Sequence, residues 1–154
     1  MKVAIEGRGN LYIKLFTDKA PKATSHIMGL VRKRFYDGQK IFRVERSPRP
    51  FLIQMGAPGS KSKSLDDEGL QTEGTGARIP FEETGYKFDR KGMVGLSAQK
   101  GDRDSGDCLF HVVLGPTTFL NGNYTVFGMV VGGMELLDRI EKGDKIVSVT
   151  LLGG

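Results

Sequence analysis

Short stretches with apolar residues at every second position recur along this chain between glycine- and proline-bearing turns, and only two stretches carry apolar residues at helical spacing. About eight strands and two helices, without strand–helix–strand repetition, favour a mainly β fold over an open α/β sheet. The expectation is a closed eight-stranded antiparallel β-barrel capped by two α-helices, formed by residues 1–154 as one domain.

Lys2 to Glu6 places Val3 and Ile5 on one face, and Leu11 to Phe16 does the same for Leu11, Ile13 and Leu15, so Gly7-Arg8-Gly9-Asn10 reads as a hairpin turn. A helix opens at Asp18-Lys19-Ala20-Pro21, carries Ile27, Leu30 and Val31 on one stripe, and closes at Phe35-Tyr36-Asp37-Gly38. The second helical stretch runs from about Met134 to Lys142, with Leu136, Leu137 and Ile140 inward and Gly143 at its end. Ala57 to Gly76 reads as loop; Lys91–Ser97, Cys108–Val113, Tyr124–Val131 and Lys145–Leu152 read as strands.

Charge is uneven. Residues 1–63 hold 14 Lys/Arg against 4 Asp/Glu, while 64–154 hold 9 against 14, or +10 against −5. Such asymmetry can mark a nucleic-acid face, but no stacking aromatics are interleaved with the cations, which argues against that partner. The single cysteine, Cys108, cannot form an internal disulfide. No apolar signal-type segment or membrane-length run is visible, so the expectation is a cytoplasmic protein with no membrane contact. Asp102–Asp107 only partly matches a calcium loop, Gly74-Thr75-Gly76 lacks the context of a phosphate cradle, and His26 reads as structural, so no metal or cofactor is expected.

The chemistry points to Ile41–Gly56. Ile41-Phe42-Arg43-Val44 and Phe51-Leu52-Ile53-Gln54-Met55 read as neighbouring strands split by a connector with Pro48 and Pro50. Each carries one polar side chain among apolar ones. A guanidinium and a carboxamide are costly there unless they meet each other or a ligand, so Arg43 and Gln54 are the first functional candidates.

In order along nearly the whole chain, Ile41-Phe42-Arg43, Phe51 to Gly56, Gly92 to Ser97, Asp107 to Phe110 and Phe119 to Gly128 resemble the motifs of the cyclophilin-type peptidyl-prolyl cis/trans isomerases. That resemblance implies an isomerase acting on X-Pro bonds of proline-containing peptides or unfolded segments, with no cofactor; the glycine-rich composition and the absence of a long exposed apolar stripe suggest a monomer. By the same resemblance Arg43 is the catalytic arginine and Gln54 its orienting glutamine. Phe51, Leu52, Phe110, Leu120, Phe119 and Tyr124 match the walls and edge of the proline pocket; Ser97, Ala98 and Gln99 match the segment that binds the residues before proline, largely through backbone groups, and Cys108 the position of a side chain that reaches toward the substrate.

The sequence also departs from the family pattern. Cys108 stands in place of a glutamine, Phe119 in place of a tryptophan, Tyr124 in place of a histidine, and Glu45–Pro50 forms a longer basic loop beside the pocket that either shifts preference toward acidic flanks or shifts nothing. Loss of the indole N–H implies weak binding of cyclosporin. The alternative reading these changes raise is a catalytically weak proline-peptide binding module or chaperone of the same fold.

Overall fold

The computed structural model describes residues 1–153. β1 (Lys2–Ile5) and β2 (Gly9–Leu15) form the expected antiparallel hairpin, with Val3 opposite Leu11 and both fully buried. Pro21 starts α1 (Pro21–Arg32), whose Ala23, Ile27, Leu30 and Val31 are buried against the sheet. Having no N–H, Pro21 suits this first turn, but Ala20 offers no side chain to the next free amides. Glu82 takes that role from a distant loop: its carboxylate accepts from Lys22 N at 3.1 Å and Ala23 N at 2.9 Å. A negative charge there also meets the positive end of the helix dipole.

The remaining strands are β3 (Arg43–Glu45), β4 (Leu52–Met55), β5 (Met93–Leu96), β6 (Phe110–Val113), β7 (Val126–Gly132) and β8 (Ile146–Thr150). They join in one antiparallel sheet in the order β3-β4-β6-β5-β7-β2-β1-β8. The sheet is curled but open, which corrects the expected closed barrel: edge strands β3 and β8 do not pair. Instead Gly38 N and Ile41 N donate to Ile146 O and Asp144 O, while Ile146 N and Gly143 N donate to Gln39 O and Ile41 O. The residues leading into β3, of which the sequence places Ile41 in that strand, are thereby drawn to the start of β8.

The second expected α-helix is a five-residue 3₁₀ turn, Met134–Asp138. Gly133 enters it at φ +78°, where a Cβ would lie 2.3 Å from Asn10 O, so the start of the turn lies against β2 at a position only glycine fits. Leu136, Leu137 and Ile140 are buried as expected. The basic loop after β3 reaches this turn, where Arg46 Nη2 donates to Leu137 O at 2.7 Å and Ile140 O at 2.6 Å. Arg46 therefore fastens carbonyls that the short turn leaves free.

Strand alternation sorts the side chains. Ile53, Met55, Leu96, Phe110 and Val112 join the main core with α1, while Val113, Leu120 and Val126 join a second cluster with Phe16 and Phe88 on the other side. The 57–76 segment is not bare loop: it contains 3₁₀ turns at Pro58–Lys61 and Glu68–Thr72, with Ser60 and Leu70 fully buried.

Candidate active site

β3 and β4 pair with Arg43 opposite Gln54, and β4 and β6 pair with Gln54 opposite His111. Three polar side chains therefore stand side by side across three strands on one face of the sheet, and Ser97 enters from the end of β5. Arg43 Nη1 donates to Gln54 Oε1 at 3.4 Å and Arg43 Nε to Glu45 Oε1 at 3.3 Å. Gln54 Nε2 donates to Ser97 Oγ at 3.1 Å, and Ser97 Oγ lies 3.0 Å from His111 Nδ1. Arginine donates only, so it fixes the orientation of the carboxamide, with Oε1 toward Arg43 and Nε2 toward Ser97.

These groups border a cleft of about 520 Å³ whose apolar walls include Phe51, Leu52, Leu120 and Tyr124. The Arg43 side chain is 31% exposed, so part of its guanidinium faces the cleft, 5.8 Å from the centre of the Phe51 ring. Gln54, Leu52 and Leu120 are all buried, so the cleft has a closed floor, and two cations, Arg43 and Lys100, stand among its lining. A second hollow of about 280 Å³ continues from the first, sharing Ser97, Ala98 and Gln99 as lining and bounded by Arg78 and Asp107.

Of the side chains expected at the site, Arg43, Gln54, Phe51, Leu52, Ser97, Ala98, Gln99, Leu120 and Tyr124 are brought together here. Phe110 is not. It is fully buried in the main core, edge-on to Tyr36 at 5.5 Å and to Phe127 at 6.1 Å. Cys108 lies on that same inner side, completely buried, with its carbonyl accepting from Tyr36 Oη at 2.8 Å. Burial pushes its thiol up to about 12, so it is a small apolar core group rather than a substrate contact. Phe119 is 68% exposed, tilted on Phe51 at 5.5 Å, and lines a separate apolar groove beside the cleft with Pro48 and Pro50.

Sequence reasoning missed four residues that line the cleft, Gln71, Thr72, Lys100 and His111, and His111 is the one joined to the polar row. Expecting Phe110 in the pocket put β6 one position out of register, and a one-residue slip exchanges the two faces of a strand. His111 is 3% exposed, stacked on Phe88 at 5.5 Å and edge-on to Tyr124 at 5.4 Å. Desolvation, with the charge of Arg43 as a second cause, lowers its pKa to about 3, and the ring is neutral at physiological pH. His26, expected to be structural, pairs with a carboxylate: its Nε2 lies 2.8 Å from Asp107 Oδ1, and Asp107 also accepts from Thr75 Oγ1 at 2.7 Å.

A family model described as cyclophilin type peptidyl-prolyl cis-trans isomerase/CLD matches residues 1–151. The chain belongs to this family. A probable peptidyl-prolyl cis-trans isomerase of Brucella suis is 33% identical over 157 residues, covering 93% of this chain and 78% of the relative. A peptidyl-prolyl cis-trans isomerase of Helicobacter pylori is 31% identical over 144 residues, covering 92% and 80%. The fold agrees with that of a Cryptosporidium parvum cyclophilin crystallised in the presence of the dipeptide Ala-Pro, with a TM-score of 0.80 at 21% identity, covering 99% of this chain and 98% of that one. This cyclophilin is therefore a peptidyl-prolyl cis-trans isomerase. Among its described residues no helix is long and apolar enough to cross a membrane.

Proposed function

We propose that this cyclophilin accelerates rotation about X-Pro bonds by holding the proline ring between Phe51, Leu52, Leu120 and Tyr124 while Arg43 donates to the amide as it twists. Unaided, rotation crosses a barrier of roughly 18–20 kcal/mol and takes tens of seconds or longer, because resonance across the C–N bond is lost. No bond breaks, so no nucleophile is required. As conjugation is lost the nitrogen becomes pyramidal and regains a lone pair, and a donor aimed at that lone pair is worth more in the twisted state than in either planar one. A gain of about 10⁵ in rate corresponds to about 7 kcal/mol off the barrier.

The observation that carries this reading is the aim of Arg43. Its Nε and Nη1 are engaged by Glu45 and Gln54, which leaves other N–H groups of the same planar fork for a ligand in the cleft. Lysine at this position would keep the charge and lose the fork. The expected result for Arg43→Lys is a loss of rate on a blocked Ala-Pro peptide of at least tenfold with peptide affinity nearly unchanged; full activity in that variant would refute a positioned guanidinium. The exposed Phe119, which lacks an indole N–H, supports weak cyclosporin binding. The substrate class we infer is a flexible proline-containing segment able to lie across both hollows, with residues before proline near Ser97, Ala98 and Gln99.

A further inference from the structure

Four side chains form one hydrogen-bonded row from Arg43 through Gln54 and Ser97 to His111, and the row ends on an unpaired atom: buried His111 Nε2 has no hydrogen-bond partner among the described residues. That end decides where the hydrogens lie. Arg43 only donates, so Gln54 Oε1 accepts from it and Gln54 Nε2 donates to Ser97. Ser97 Oγ thus already accepts once. Its bond to His111 then has two arrangements. If Ser97 donates to Nδ1, the neutral imidazole carries its hydrogen on Nε2, buried without an acceptor. If Nδ1 carries the hydrogen and donates to Ser97, Nε2 is a bare lone pair.

The surroundings of Nε2 select the second arrangement. A Cβ built on Gly95 would fall 2.6 Å from Nε2 and 2.6 Å from Phe88 Cζ, so the Gly95 Cα hydrogen on that side lies between the two rings; beside Nε2 this weak donor suits a lone pair better than an N–H. Phe88 lies on the ring face, nearly parallel to the imidazole at 29°, and presents no acceptor in the ring plane. An orphaned buried N–H is also the rarer and costlier defect. Ser97 Oγ therefore accepts from both Gln54 and His111, and its own hydrogen has no partner among the described residues.

Ser97 is half-buried and lines both hollows of the cleft. An X-Pro bond has a carbonyl acceptor and no N–H, because proline lacks one. A hydroxyl that has accepted twice can only donate, and it matches that need. Accordingly, and resting on the isomerase reading above, we propose that Ser97 is a second substrate donor of this cyclophilin: its O–H, set by the His111 Nδ1–H tautomer, bonds the carbonyl oxygen of the residue before proline. His111 is then a positioning residue that acts through Ser97.

Two measurements on the whole chain test this. Nitrogen-15 NMR of the wild type reads the His111 tautomer directly; the result expected is protonated Nδ1 and bare Nε2, and a protonated Nε2 would overturn the proposal. The second is binding of a blocked Ala-Pro peptide and its analogue with sulfur replacing the carbonyl oxygen before proline, a weaker acceptor, to wild type and Ser97→Ala. Wild type should favour the oxygen peptide by about tenfold, and Ser97→Ala should bind both alike. A preference that survives intact in Ser97→Ala would overturn the assignment, even if both affinities fall through disturbed packing. Neither readout uses turnover. Should Arg43 prove dispensable for rate while these results hold, the isomerase mechanism fails and the Ser97 donor stands.

Discussion

Replacing His111 with phenylalanine should make this cyclophilin less sensitive to mild acid. In the folded chain the imidazole is held neutral with a pKa of about 3, against an ordinary value of 6.5. Between those values the unfolded chain binds a proton at this position and the folded chain does not, so stability falls as pH drops through that window. Lowering the pH from about 7.5 to about 5 should cost the wild type about 2 kcal/mol from this residue alone, since the slope approaches about 1.4 kcal/mol per pH unit once the unfolded imidazole is mostly charged. Phenylalanine fills a similar space between Phe88 and Tyr124 and does not titrate. The assay is urea unfolding of wild type and His111→Phe at both pH values, taking the change in each protein separately so that any packing cost of the substitution cancels. His26 and every carboxylate are common to both proteins. The wild type should lose about 2 kcal/mol more than the variant; parallel losses would refute a desolvated His111 and with it the buried end of the polar row.

Other consequences follow from named contacts. Glu82→Ala removes the carboxylate that caps α1 from outside the helix and should lower stability by about 1 kcal/mol, seen as a lower urea midpoint with an unchanged slope. Arg46→Ala leaves the Leu137 and Ile140 carbonyls without their donor; stability should fall by about 1 to 3 kcal/mol, while selectivity between acidic and neutral X-Pro peptides stays the same. Cys108, raised by burial to about 12 and shielded completely from solvent, should resist thiol reagents at about pH 8 in the folded chain and react at once in denaturant. Rapid labelling of the native protein would contradict that placement.

Legibility in the sequence followed the reach of each interaction. The β1–β2 hairpin, α1 and the pairing of Arg43 with Gln54 rest on local periodicity, and a polar residue inside an apolar strand marks its own face. β6 is buried at all four positions, so its alternation carried no inward or outward signal, and the choice between Phe110 and His111 could not be made from pattern. The Glu82 cap joins residues about sixty positions apart, and the Arg46 clamp spans still more, contacts that no local window contains. The open edge of the sheet has the same origin: a strand period says that residues extend, and only the fold decides that 38–41 turns toward β8 rather than lengthening β3. In the 134–142 stretch apolar spacing identified the buried residues correctly, while the start of the turn lies against β2 through the approach of Gly133.

The most direct test of the account is exchange NMR on a blocked Ala-Pro peptide with wild type and Arg43→Ala, which reads binding from shift changes and turnover from cis–trans exchange in one sample. The account predicts that both proteins shift the peptide resonances, that wild type accelerates exchange, and that Arg43→Ala loses at least a hundredfold of that acceleration, about 2.7 kcal/mol of transition-state stabilisation. Undiminished exchange in a folded Arg43→Ala protein would contradict it and move the catalytic donor elsewhere in the cleft.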